Sequence, residues 1–391
     1  MNTNQNARLY ASLPSLSGAH SVARIDLYAL AHNYRLLCGA IGDALPICVV
    51  KADAYGHGAP SVVRTLYDEG CRHFAVSSTE EALAVREAAE HADILILGSV
   101  LPTHVPLLAA HRITATVYSK EVARALSEEA GSLGVCLSVH VKLDTGMNRL
   151  GFAAYDRETR ERSLSELSEV YSYEGLSVCG VFSHLATADE PSGELTNLQA
   201  ERFDAMIRLM KDHGMKTGQK HLCNTAGALR FPSCRMDAVR LGLALYGYLP
   251  YEGAPELPLL PVMRLTSEVS NVHTLPPMEP LGYGATYRAE SPRQIATISI
   301  GYADGFIRAY SGASVTVHTK DGNFSAPVVG RICMDQCMLD VTGIPASRGD
   351  TVTLFGNDTK SLLELAERAG TIPYEVLCLV SARVPRVTEE Q

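Results

Sequence analysis

Short runs of apolar and β-branched residues recur along the first two thirds of the chain, separated by amphipathic stretches. They are PICVV (from 46), HFAVSS (from 73), DILILG (from 93), TATVYS (from 114), LSVHVKLD (from 137), SVCGVFSH (from 177), KHLCNT (from 220) and AVRLGLALYG (from 238). The segments between them carry helix signals. Ser78 with Glu81 makes a capping box, and Leu195, Leu198, Phe203, Met206 and Met210 form a periodic set that stops before Gly214. Eight strands alternating with helices predict a (β/α)8 TIM-type barrel, although a doubly wound open sheet leaves a similar local pattern. From about residue 256 the pattern changes to strands, with RLTSEVSNVHTL, QIATISIGYADG, ASVTVHT, an Asp321-Gly322 turn and SAPVVGRICMDQCMLDVT, and one clear helix in KSLLELAERAG. The proline-rich 249–261 reads as the linker. The predicted organisation is a polar arm over 1–20, an α/β barrel over 21–255 and a smaller β-rich C-terminal domain over 256–391.

Where the reactive side chains fall favours the barrel. In that fold the working residues sit at the carboxyl ends of the strands, and Lys51, Asp144 with Arg149 just beyond, His184, and Asn224 with Thr225 all stand at such ends. Gly242 lies inside the last apolar run, which leaves room for that strand to end earlier than its run.

Composition narrows the class. The 391 residues are 46% hydrophobic and 20% charged with a formal net charge of -9, which fits a globular protein with a sizeable core and argues against a general nucleic-acid surface. No stretch approaches the length of apolar residues needed to cross a bilayer, and the N-terminus has no charged start followed by an apolar core, so a cytoplasmic protein is expected. The ten cysteines contain no CxxC pair, and Cys48, Cys136 and Cys179 lie in apolar runs, which reads as reduced, packed thiols. Cys333 and Cys337 lack two further well-placed ligands, so no zinc site is expected.

Lys51 is the sharpest chemical question. A lysine at a strand end can simply snorkel into water, or, if desolvated, serve as an amine nucleophile toward carbonyls. An aldolase would need only the substrate carbonyl. A pyridoxal 5'-phosphate (PLP) enzyme also needs a phosphate cradle and a partner for the ring nitrogen. Asn224, Thr225 and the backbone around Gly242 suit the first of these tasks and Arg240 the second, while each taken alone is also an ordinary turn or surface cation.

The motifs VVKADAYGHG, VKLDTGMNRLG, SHLATADE, CNTAG, VRLGLALYG, LGYGATY, IGYADG, GRICMDQ and PYEVLCLVSARVPR run in order through nearly the whole chain, and in them the sequence resembles the alanine racemase family of fold-type III PLP enzymes. The resemblance implies that Lys51 holds PLP as a Schiff base and works as the base on one face of the substrate α-carbon, with Tyr283 as the base on the other. It implies a hydrogen-bonded chain through His184 to Arg240, with Arg240 at the ring nitrogen. Arg149 would bond the cofactor's phenolic oxygen and the substrate carboxylate, and Lys142 would be the lysine that many relatives carbamylate, an unmodified lysine paired with Asp144 being the alternative. Tyr55, Thr225, Gly242, Leu243 and Tyr374 would hold the phosphate with Asn224 close by, and Met334 and Asp335 would line the substrate entrance. A head-to-tail homodimer with shared sites, L- and D-alanine as substrates and D-alanine for peptidoglycan as the role are implied in the same way. Thr225 stands where serine is common, keeping the hydroxyl, and Leu241 where proline is common. A serine or broad-specificity racemase is the nearest competitor. A PLP-dependent decarboxylase would need an acidic partner for the ring nitrogen, and a non-catalytic PLP carrier would leave the residues after the linker without a purpose.

Overall fold

The computed structural model describes residues 20–249, 251 and 257–389, so residues 1–19 of the expected arm and part of the linker lie outside the described residues. Backbone contacts divide the chain into two compact units. The described residues of Leu27–Leu260 form one, and residues 20–26 join 261–389 in the other.

The first strand, β1 (Val22–Asp26), belongs to the second unit. The sequence reading put residues 21–26 with the barrel, but β1 pairs antiparallel with β11 (Met263–Leu275) and parallel with β17 (Arg386–Glu389). Nothing in VARID itself reports which distant strand will supply its hydrogen bonds.

The first unit is the barrel. β2 (Leu45–Val49), β3 (His73–Val76), β4 (Asp93–Ile96), β5 (Ile113–Val117), β6 (Leu137–Asp144), β8 (Leu176–Phe182), β9 (Gln219–Asn224) and β10 (Ala238–Leu241) are all parallel; the two-residue β7 (Phe152–Ala153) hangs on the end of β6. Neighbours follow chain order and the ring closes through β10 against β2, which excludes the open sheet. β10 ends at Leu241, one residue before Gly242, because Gly242 turns the backbone into the 3-10 segment Leu243–Tyr246.

The helices bury their inner stripes against the ring. In Glu194–Asp212 the buried set is Thr196, Gln199, Phe203, Met206, Ile207 and Met210, whereas Leu198 lies off that face and is exposed. Both ends of the unit are tied together by Asn33. Its Nδ2 donates to the carbonyls of Leu245 (3.0 Å) and Leu260 (2.7 Å), and its Oδ1 accepts from Leu260 N (2.9 Å).

In the second unit β11, β12 (Arg293–Ile298), β15 (Cys337–Asp340), β14 (Gly322–Val329), β13 (Ser314–Thr319) and β16 (Thr351–Phe355) pair antiparallel in a closed ring, with β1 and β17 added outside β11. The β13–β14 hairpin pairs Thr319 with Gly322, so its two loop residues are Lys320 and Asp321, one position earlier than the expected turn. The expected helix is Thr359–Ala369, capped by Asp358 and ended by Gly370, and a second short helix, Pro373–Leu379, follows. Cys48 is buried, but Cys136 and Cys179 are exposed. Cys136 precedes β6, and Cys179 faces the open N-terminal mouth of the barrel. No described helix is long and apolar enough to cross a membrane.

Candidate active site

Lys51 stands two residues beyond β2, and the backbone after it is unusual. Ala52, Asp53, Ala54 and Tyr55 all have φ between 53° and 55°, four consecutive non-glycine residues in the left-handed region. Each costs about 1–2 kcal/mol for an L-residue, so the turn persists only because its surroundings over-determine it. Glu81 grips its start. The Glu81 carboxylate accepts from Ala52 N and from Ser77 N, both at 2.7 Å. Half of the expected capping box is present, since Ser78 Oγ accepts from Glu81 N, but the glutamate serves the Lys51 turn rather than its own helix. At the other end Asp53 Oδ1 accepts from Ala59 N at 2.6 Å, and the buried Tyr55 ring rests on Tyr246, whose hydroxyl donates to Val49 O.

Lys51, Lys142, Arg149, His184 and Arg240, with Phe182, line one cavity of about 260 Å³ at the carboxyl ends of the strands. No carboxylate among the described residues lines it, so the site favours a ligand with anionic groups. Asp144 is not the missing counter-charge. Its Oδ1 accepts from the backbone N–H groups of Gly146, Met147 and Asn148, fixing the loop that carries Arg149. Lys142 therefore has no ion pair among the described residues; its ammonium lies 5.5 Å from the centre of the Phe182 ring. Burial first, then the Arg149 and Arg240 guanidinium groups, push its amine down to about 8.

Arg240 is the best-held side chain of the site. It is buried, which lowers its guanidinium to about 10, and its four terminal N–H bonds are all spoken for. Nη1 donates to His221 Nδ1 (2.6 Å) and His221 O; Nη2 donates to Ser183 O (2.7 Å), Leu222 O (2.8 Å) and His184 Nδ1 (3.1 Å). The Nε–H is the donor left over.

Because a guanidinium only donates, these contacts fix the histidine tautomers. His184 accepts at Nδ1, so its proton is on Nε2. His221 accepts at Nδ1 and donates from Nε2 to His140 Nδ1 at 2.9 Å, leaving the His140 proton on Nε2. Burial and the Arg240 charge keep all three rings neutral, His140 down to about 4 and His184 and His221 well below their usual range. A polar chain thus crosses the barrel interior, where bulky apolar layers are usual. His221 also stacks on Phe182 at 4.7 Å. Neither His140 nor His221 was picked out from sequence. Alternation along β6 nonetheless puts Ser138, His140, Lys142 and Asp144 on one face.

Tyr55, Thr225 and Gly242 meet nearby. Gly242 N donates to Thr225 Oγ1 at 3.0 Å, and a Cβ on Gly242 would sit 3.0 Å from the Tyr55 hydroxyl, so a side chain here would press the phenol aside. Asn224 caps the helix Thr225–Arg230 through its Oδ1 to Gly227 N, and Leu243 opens the following 3-10 turn.

In the other unit Tyr283 begins a 3-10 turn bracketed by Gly282 and Gly284, both at positive φ, and the residue is 72% exposed. Met334 is exposed. Asp335 accepts from Arg383 at 2.8 Å, and Tyr374 lies half-buried on Pro373–Leu379.

Comparison with known proteins covers both units. Residues 25–250 match the family profile of the alanine racemase N-terminal domain and residues 262–388 that of the alanine racemase C-terminal domain. An alanine racemase of Desulfovibrio desulfuricans is 40% identical over 94% of this chain and 98% of its own. Among solved structures, alanine racemase of Clostridium difficile superposes with a TM-score of 0.88 at 36% identity, over 95% of this chain and 96% of that one. The Bacillus anthracis alanine racemase solved with bound L-Ala-P gives 0.87 at 32% identity over 95% of both.

Proposed function

The chain belongs to the alanine racemase family of isomerases, and from that premise we propose that it interconverts L- and D-alanine with PLP at the Lys51 cavity, acting as a head-to-tail homodimer in the cytoplasm and supplying D-alanine for peptidoglycan. PLP, when bound, supplies an electron-accepting ring that acidifies the α-proton of an attached amino acid. The residues present suit it. Arg240 offers one uncommitted N–H to a ring nitrogen that must act as acceptor, while Tyr55, Thr225 and the backbone at Gly242 and Leu243, with Tyr374, serve a phosphate.

Arg240 is the observation that carries the reading. A guanidinium, even lowered to about 10, stays charged at neutral pH, so it holds a ring nitrogen without protonating it. No carboxylate among the described residues lines the cavity to do otherwise, which disfavours the deeper electron sink that decarboxylation and transamination exploit. Arg149 orients the substrate carboxylate as a forked cation, and the partner subunit's Met334 and the partner subunit's Asp335 narrow the way in. Lys51 holds or returns a proton on one face of the α-carbon, and the partner subunit's Tyr283 does so on the other. His184, whose Nε2–H is left to donate, links that phenol to Arg240.

The test is incubation with L-alanine and L-serine in deuterated water followed by chiral chromatography and mass spectrometry. Both alanine enantiomers should appear, deuterated at the α-carbon, with serine slower by about 10- to 100-fold given the weak discrimination of one hydroxyl. Retention of a single enantiomer, or release of an amine, overturns the reading.

Lys142 is proposed to carry a carbamate that steadies Arg149. At pH 8 about half of an amine with this value is neutral, against under about 1% for an ordinary lysine, and the neutral amine adds CO2 with loss of one proton. Enzyme equilibrated with ¹³C-bicarbonate at pH 8 should show a carbamate carbon that is absent from Lys142→Ala. An identical spectrum for both proteins counts against the modification.

A further inference from the structure

A second cavity, of about 340 Å³, opens at the opposite, N-terminal mouth of the barrel. Its polar lining is His73, Asp93, Thr114, Ser138, His140 and Gln219. This volume suits a small molecule, and Ile47, Ile94 and Leu95 give it an apolar side.

The chemistry of the lining is graded from depth to rim. His140 is only 7% exposed, and its Nδ1 is taken by His221, so its Nε2–H is left as a donor with no protein acceptor among the described residues. Room for the ring is made by Gly180, where a Cβ would lie 2.5 Å from it. The Ser138 hydroxyl, two residues earlier on β6, and the Gln219 carboxamide, at the start of β9 across β8, likewise make no hydrogen bond within the described chain. At the rim sits a carboxylate, Asp93, with its side chain 78% exposed and 3.3 Å from His73 Nδ1. A buried donor at the bottom, a hydroxyl and a carboxamide nearer the opening and an exposed carboxylate at the rim match a ligand that has an anionic end and a cationic end.

We propose that the N-terminal mouth of the barrel is a second binding site, for a small zwitterionic amino acid, whose carboxylate accepts from His140 Nε2, Ser138 and Gln219 and whose ammonium faces Asp93. A carboxylate on His140 Nε2–H makes Nδ1 a better acceptor, so an occupant strengthens from outside the chain that ends on Arg240.

Alanine is the probe, a choice that rests on the proposed reaction. Equilibrium dialysis of the holoenzyme against racemic radiolabelled alanine involves no net turnover and reads stoichiometry directly. Two molecules per chain are expected for the native protein and one for Ser138→Phe, which plugs the mouth from an exposed position. Gln219→Glu, which adds no bulk but sets a negative charge against the ligand carboxylate, should also bind one. Lys51→Ala should retain the molecule that these two variants lose. One molecule per chain in the native protein, lost in Ser138→Phe and in Gln219→Glu, would uphold this site while removing the catalytic one. Unchanged stoichiometry in both mouth variants overturns the proposal.

Discussion

Lys51→Ala is expected to remove the visible absorbance of bound PLP and at least about 10⁴-fold of the turnover, since in the proposed scheme the substitution deletes both the covalent anchor and one of the two bases. The effect should not come from unfolding. Lys51 is half-buried at the rim of a cavity, and the left-handed turn after it is held by Glu81 and Asp53 through bonds that the substitution leaves in place. Circular dichroism and thermal melting should therefore match the native protein while the absorbance spectrum does not. A variant that keeps its visible band and its rate would remove Lys51 from the mechanism.

Tyr283→Ala should separate the two faces of the reaction. Tyr283 is exposed on a turn between two glycines at positive φ, so truncation should cost the fold little. PLP should stay bound, and interconversion should fall in both directions by about 10²- to 10⁴-fold, the usual worth of a positioned acid–base group. Racemisation needs a proton removed from one side of a plane and delivered on the other, so it fails even with Lys51 intact. In deuterated water one enantiomer should continue to exchange its α-proton without inverting. Native rates, or loss of exchange for both enantiomers, would argue against an opposed pair of bases.

Much of the barrel was legible because each strand is a compact run of β-formers, and a residue just past such a run is bound to face the ring's carboxyl mouth. That is why Lys51, Arg149 and His184, beyond the ends of β2, β6 and β8, share one cavity with Lys142 and Arg240, which stand near the carboxyl ends of β6 and β10. What escaped was set by partners far away in sequence. The partners of β1 lie more than 200 residues on, and no local feature names them. Glu81 carries an ordinary capping signature, yet its carboxylate goes to Ala52 N and Ser77 N, so local and long-range contacts compete for one side chain. The left-handed turn was equally hidden. ADAY has no glycine or asparagine to announce positive φ, and local sterics alone would have made it right-handed. His140 and His221 look like ordinary strand residues until Arg240 supplies the donor that orders them.

The pairing of β1 with β11 has one more consequence. Ile25 sits opposite Met263, and Asp26 N donates to Val262 O at 2.9 Å, so the two strands run as a β-hairpin whose loop is the entire barrel. During synthesis the ribosome therefore finishes the inserted domain while its host is still one orphan strand, waiting for more than a hundred residues that complete it. Genetically the insert is excisable: joining Asp26 to Pro261 through a tight turn would give the host an uninterrupted chain, whereas cutting the protein at the linker would strip the host of an interior strand.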